Sequence, residues 1–128
     1  MSSRRIIHSS LAPKAIGPYS QAVQVGNTVY LSGQTPIDPA SGELVAGDIS
    51  AQARQVFENL KAVLAAANLD FLNVARVGIY LTDLGNFAAV NEIMKTYFSE
   101  PYPARSTIGV AALPKAAQVE IDMIAVID

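Results

Sequence analysis

Two ionisable residues stand in settings that invite chemistry. Arg105 lies in Pro103-Ala104-Arg105-Ser106-Thr107 and Glu120 in Val119-Glu120-Ile121. A guanidinium is a planar fork that grips a carboxylate through two parallel hydrogen bonds. A glutamate in a partly dry site can hold or deprotonate a water. The pair reads as an anchor for a small acid beside a water-handling carboxyl; the alternative is a structural ion pair, or two unrelated surface charges. Tyr19 follows the turn signal Gly17-Pro18 and reads as a rim aromatic. Ser32-Gly33-Gln34 closes a strand; Gly33 either admits a ligand close to the backbone or simply ends the strand. Asn91 is polar on an apolar helix side between Phe87 and Met94, and reads as a core amide bonded to backbone. His8 reads as a surface or N-terminal strand residue.

Other chemistries lack parts. The chain has no Cys and a single His, which excludes disulfides, thiolate metal sites and Cys nucleophiles, and leaves a His-based metal site or a Ser-His-Asp relay without its members. There is no Walker A loop, no Gly-x-Gly-x-x-Gly and no Gly-x-Ser-x-Gly elbow. Nine Lys and Arg against 11 Asp and Glu give a net charge of −2. That argues against a nucleic-acid binder, which carries a basic face. A hydrophobic share of 51% against 16% charged excludes the disordered class. The longest run free of polar residues, Ala62 to Ala67, is far short of a membrane span. The start, Met-Ser-Ser-Arg-Arg-Ile-Ile-His, has charge without an apolar stretch behind it, so the expectation is no leader and a cytoplasmic protein. With 128 residues, no repeat and no linker, residues 1–128 read as one domain.

The elements that must position these residues follow from periodicity. A helix is expected from about Asp48 to Ala67, with Ile49, Ala53, Val56, Phe57, Leu60, Val63, Leu64 and Ala67 on one stripe, Asp48 as N-cap and Asn68 just past the end. A second is expected from about Asn86 to Phe98, with Phe87, Val90, Met94, Tyr97 and Phe98 on one face and Pro101 beyond it. Gln21 to Val25, Gly26-Asn27 and Thr28 to Gly33 read as a hairpin. Further strands carry the alternations Ala75, Val77, Ile79, Leu81; Ser106, Ile108, Val110; and Val119, Ile121, Met123, Ala125, Ile127, with a short strand near Arg5 to His8. The order β-β-β-α-β-α-β-β puts both helices on one face of a mixed sheet.

The helix-free face then presents Glu120, Asp122, Ile124 and Val126 from the last strand, and Val74, Arg76, Gly78, Tyr80 and Thr82 from another. Mixed apolar and charged residues there suggest cover by a partner copy; the alternative is an ordinary wet sheet face. Parity assigns Arg105 to this face too, opposite a helix-facing Ile108 and Val110. If the strands of Arg105 and Glu120 run antiparallel, the two lie at opposite ends, roughly 20 Å apart. One chain would not unite them, and a cooperating pair would sit in a site assembled from two subunits.

Ala15-Ile16-Gly17-Pro18-Tyr19-Ser20-Gln21-Ala22, Ser32-Gly33-Gln34, Pro103-Ala104-Arg105-Ser106, Leu113-Pro114 and Val119-Glu120-Ile121 together resemble the RidA (YjgF/YER057c/UK114) family, over about residues 5 to 127. The resemblance implies an α+β, chorismate-mutase-like fold, a mixed sheet with two helices on one face, and a homotrimer with three sites in clefts between subunits. It implies a cofactor-free enzyme that hydrolyses 2-imino acids such as 2-iminobutanoate and 2-iminopropanoate, released by pyridoxal-phosphate enzymes, to 2-keto acids and ammonia. Carried over by residue, Arg105 grips the substrate carboxylate, the backbone N–H of Thr107 adds a donor, and Glu120 positions the attacking water. Tyr19 closes the pocket, Gly33 offers its carbonyl, and Ser32 and Asn91 line or support the site. Relatives often carry Cys where this chain has Thr107, and the segment from the second helix to Pro103 looks short. Alternatives to the deaminase are a module that binds small carboxylates without turnover, and an RNA-directed activity. No metal, membrane or nucleic-acid partner is expected.

Overall fold

A computed structural model of the chain describes residues 3–128; Met1 and Ser2, part of the leader reading, lie outside the described residues. Six strands form one sheet: β1 (Arg4–Ile7), β2 (Ala22–Val25), β3 (Thr28–Gln34), β4 (Val74–Leu81), β5 (Ala104–Gly109) and β6 (Val119–Val126). Two helices, α1 (Ile49–Ala66) and α2 (Phe87–Met94), pack on one side of it. The strand order is β1-β2-β3-β6-β4-β5, antiparallel throughout except for the β4–β5 pair. This is the expected mixed α+β sheet, with the expected element order.

Local chemistry sets the boundaries of α1. The Asp48 side chain accepts from Ala51 N at 3.0 Å, occupying one of the orphan donors of the first turn. At the other end Asn68 takes φ +60°, Asn68 N donates to Ala65 O and Leu69 N donates to Leu64 O. These bonds close the last turn in a Schellman arrangement, in which Asn tolerates the left-handed conformation. The apolar stripe of Ala53, Val56, Phe57, Leu60, Val63 and Leu64 is fully buried on the sheet. Two buried amides on the same helix pin loops to it. Asn59 donates to Ile37 O at 2.9 Å, and Gln52 Oε1 accepts from Gln118 N at 3.0 Å, at the entrance to β6. α2 is shorter than expected: it ends at Met94, and Thr96 to Phe98 continue as turns that carry Tyr97 and Phe98 back onto Phe57.

Three parity expectations change. Between Val74 and Arg76 the register of β4 against β6 shifts, so the buried residue is Val74 while Ala75 is exposed. A bulge inserts one residue and moves what precedes it to the other face. The larger correction concerns β5. Thr107 pairs with Ile79 and Arg105 with Val77, both core residues under the helices, so Arg105 and Thr107 belong to the helix side. Gly109 joins them, because a Cβ there would meet Leu84 Cγ at 3.1 Å. Ile108, 49% exposed, lies on the helix-free face instead. Thirdly, Val110 is not part of the strand, which ends at Gly109. The physical reason is that β5 is an edge strand, where the helix layer thins and apolar alternation no longer reports the core side.

Candidate active site

β5 and α2 build the first half of the site. Arg105 Nη1 donates to Asn91 Oδ1 at 2.5 Å and to the Met94 sulfur at 3.7 Å. Its guanidinium lies over the Phe87 ring, with Cζ 5.1 Å from the centroid, a favourable cation–π placement. Asn91, expected as a core amide bonded to backbone, is instead the acceptor that tethers this arginine. Phe87 and Met94, expected only as part of an apolar stripe, hold it from the other sides. The guanidinium opens on a groove of about 400 Å³ lined by Asn91, Met94, Lys95, Tyr102, Pro103 and Arg105. Among the described residues the one salt bridge is Lys95–Glu92, so the fork of Arg105 has no carboxylate of its own. Two residues along the strand, Thr107 Oγ1 is buried without a hydrogen-bond partner.

The second half lies on and beside the other sheet face. The turn at Gly17, with φ +124°, and the bond from Tyr19 N to Gly17 O place the exposed Tyr19 ring at the mouth of β2; its hydroxyl accepts from Ile16 N at 3.4 Å. Gln21, given no site role by the motif that contains it, fixes the preceding loop. Its amide donates to Pro13 O and Ser9 O and accepts from Ser9 N. Ser32 donates to Ser20 O at 2.6 Å, tying β3 to the Tyr19 segment. A register shift against β6 falls between Leu31 and Gln34, around Ser32 and Gly33. Gly33, Tyr19, Ile16, Lys14 and Lys115 are among the walls of a cavity of about 530 Å³. Glu120 of β6 lies directly against Gly33: a Cβ there would be 2.7 Å from Glu120 Oε2. Half-burial, and then the nearby charge of Asp122, push the Glu120 carboxyl above its ordinary value.

Arg105 and Glu120 are therefore on opposite faces of the sheet, not on one face as expected, and they are not an ion pair. β4 separates their strands. Arg105 is level with Val77 and Glu120 with Tyr80, three positions along β4. The offset is about 10 Å along the strands and about 10 Å across them, with the sheet between. It is shorter than the roughly 20 Å expected, but the barrier is higher. The structure thus gathers Tyr19, Ser32, Gly33 and Glu120 in one region and Asn91, Arg105 and Thr107 in another, and one chain does not join the two.

Comparison with known proteins gives this divided site a context. The family model described as endoribonuclease L-PSP matches residues 9–127. Protein DfrA of Myxococcus xanthus is 61% identical over 126 residues, covering 97% of this chain and 96% of that protein. The 2-iminobutanoate/2-iminopropanoate deaminase of Dermatophagoides farinae is 52% identical over 128 residues, covering all of both chains. Among solved structures, TdcF of E. coli with bound serine superposes with a TM-score of 0.91 at 44% identity, over 97% of this chain and 99% of that one. With fold, sequence and motif blocks in agreement over nearly its whole length, the chain belongs to the endoribonuclease L-PSP family, the RidA family that its sequence resembles.

Proposed function

We propose that this protein is a hydrolytic deaminase of small 2-imino acids, converting 2-iminobutanoate and 2-iminopropanoate to 2-keto acids and ammonia. The observation that carries the reading is the guanidinium of Arg105, held by Asn91 and Phe87 at a groove and lacking an acid of its own. The deaminase name of relatives about 50% identical over the full chain supports it.

A 2-imino acid is already electrophilic at C2, most so with its nitrogen protonated. Arg105 binds the substrate carboxylate with its free edge, and the Thr107 backbone N–H adds a donor. Water adds to C2 as the C=N bond becomes a single bond; proton transfer to nitrogen and collapse of the carbinolamine break the C–N bond, leaving a keto acid and ammonia. Glu120, with its carboxyl raised by burial, holds the water and carries the proton. Tyr19 closes the pocket, Ser32 fixes that wall, and the Gly33 carbonyl faces the substrate. Holding the reactants in register can lower a barrier by up to about 7–11 kcal/mol, and no covalent nucleophile is required.

Because the halves of the site lie apart in one chain, the working site is formed where Arg105 of one copy meets Glu120 and Tyr19 of another, in a homotrimer. The exposed Tyr30, Ile108 and Val126 on the helix-free face supply apolar surface for that contact. We read residues 1–128 as one such domain and the cytoplasm as its place; no helix of the described residues is long and apolar enough to cross a membrane. The family description leaves an RNA-directed activity as a second reading; a net charge of −2 argues against it. Binding of small carboxylates without turnover is a third, since one relative was solved with bound serine. Following the decay of 2-iminobutanoate generated in situ, with keto acid and ammonia measured together, tests the proposal. Unaccelerated decay would overturn it, and salt-sensitive cleavage of RNA by the same preparation would favour the second reading.

A further inference from the structure

β6 carries two carboxylates two residues apart on the helix-free face, Glu120 and Asp122. Each comes down on a glycine of a flanking strand. At Gly33 of β3 a Cβ would lie 2.7 Å from Glu120 Oε2, 2.9 Å from its Cδ and 3.2 Å from its Cγ. At Gly78 of β4 a Cβ would run into Asp122 Oδ1, and would sit 3.2 Å from Tyr80 Oη and 3.3 Å from Arg76 Nη1. Neither glycine has a positive φ, so the backbone conformation does not require them. Glycine inside a strand weakens it, and its presence marks a close approach. Here what approaches is a carboxylate on each side.

We propose that Gly33 and Gly78 are positioning residues: their missing side chains form two slots that splay the acids of β6, laying Glu120 against β3 and Asp122 against β4. The inference rests on the reading of Glu120 as the water-handling group. Asp122 is engaged on its side, accepting from Tyr80 Oη at 3.0 Å, with the Arg76 guanidinium close by and bonded to Ser106. Glu120 is left as the carboxyl available to the site. The charged and titratable groups around it are Asp122 on β6, Arg76 and Tyr80 on β4, Tyr30 on β3, and Lys14 and Lys115 on the loops that wall the neighbouring cavity. The raised Glu120 carboxyl, caused first by burial and then by Asp122, fits an acid pressed into a slot with one like charge held at a distance.

The slots make an unusual prediction for alanine substitutions. The atoms that a methyl would displace are the ends of flexible side chains, so the sheet survives and only the carboxylate moves. Gly33→Ala is expected to lower kcat for 2-iminobutanoate at least tenfold, to change KM less than threefold because Arg105 and the backbone carbonyl of residue 33 both remain, and to move the acid limb of the rate profile to lower pH as Glu120 leaves its buried seat. In a Glu120→Gln background the same substitution is expected to add nothing, which a general loosening of the sheet would not reproduce. The Glu120 titration is read directly by carbon NMR of labelled glutamate carboxyls, assigned by its loss in Glu120→Gln. Gly33→Ala shifts it down; Gly78→Ala, which pushes Asp122 off β4 toward Glu120, shifts it up. Gly33→Ala that leaves both the titration and the rate unchanged, or that slows the Glu120→Gln enzyme by a further factor of ten, overturns the inference. If Gly33→Ala fails to fold, Gly78→Ala decides instead: a Glu120 titration that does not move up in that variant overturns the inference. A wild-type chain without imine hydrolysis but with both NMR shifts as stated would sink the deaminase reading and leave the slots standing.

Discussion

The division of the site between two sheet faces can be tested by complementation. Arg105→Ala removes the proposed anchor and Glu120→Ala the proposed water-handling carboxyl, and each chain alone is expected to be nearly inactive. Arg105 and Glu120 sit on strands separated by β4 and point to opposite sides of the sheet, so no side-chain rotation within one chain brings them to one small molecule. If the site spans a contact between copies, it works when one copy supplies Arg105 and its neighbour supplies Glu120. In an oligomer assembled at random from equal amounts of the two variants, the first copy is the Glu120→Ala chain half the time and the second is the Arg105→Ala chain half the time. About one quarter of the sites are then intact, whatever the number of copies in a closed ring. Co-expression with two different tags and sequential capture gives mixed oligomers, and 2-iminobutanoate decay gives the rate. Recovery to about a quarter of wild type per chain before selection supports the shared site. Mixed oligomers no more active than the two variants measured separately would refute it, and would require a rearrangement of β5 that the present sheet does not show.

Other expectations are direct. Arg105→Ala removes the two charge-assisted hydrogen bonds proposed to hold the substrate, worth about 1.5–3 kcal/mol each, so imine hydrolysis should fall roughly 150- to 25,000-fold while the circular dichroism spectrum stays unchanged, since Arg105 is exposed. Phe87→Leu keeps an apolar side chain and loses the ring face; at about 0.5–1 kcal/mol for an exposed cation–π contact, KM should rise roughly twofold to fivefold with kcat preserved. Thr107→Val removes a buried hydroxyl that has no partner. It should stabilise the chain by about 1 kcal/mol, raising Tm by roughly 3–6 °C, and leave turnover unchanged because the proposed substrate contact is to the backbone N–H. Glu120 has its folded-state carboxyl raised by burial and by Asp122. Its contribution to stability is therefore complete below the unfolded carboxyl value and is lost as pH rises through the folded one. Glu120→Gln should consequently raise Tm at pH 7 by more than at pH 4, and equal shifts at the two pH values would contradict that sign.

How much of this was legible in the sequence depended on where each residue sits in the layers. α1 was readable to its caps because a long stripe, an Asp before it and an Asn after it all report one local structure. The face of β6 was readable because β6 is central, with the core on one side along its whole length. Alternation failed on β5, where an edge strand puts Ile108 on the face without helices and Arg105 beneath α2. It failed again at Ala75, because a bulge shifts register without any turn residue to announce it. The same limit explains the misreading of Asn91. A polar residue within an apolar stripe can serve the backbone or another side chain, and only the true side of β5 shows that Arg105 is its partner.

The two strand glycines carry a signal that spacing alone does not decode. The sequence alone allows Gly33 to admit a ligand or simply to end the strand; in the structure the group that approaches it is Glu120. Gly78 was seen only as one member of a sheet face. Its meaning depends on β6 lying between β3 and β4, a long-range arrangement in which residues 33 and 78 flank residues 120 and 122. Local periodicity specifies which strands exist, whereas the chemistry arises from which strands are neighbours. The two carboxylates of β6 are kept apart because two strands far apart in sequence each leave out a side chain, β3 at Gly33 beside Glu120 and β4 at Gly78 beside Asp122.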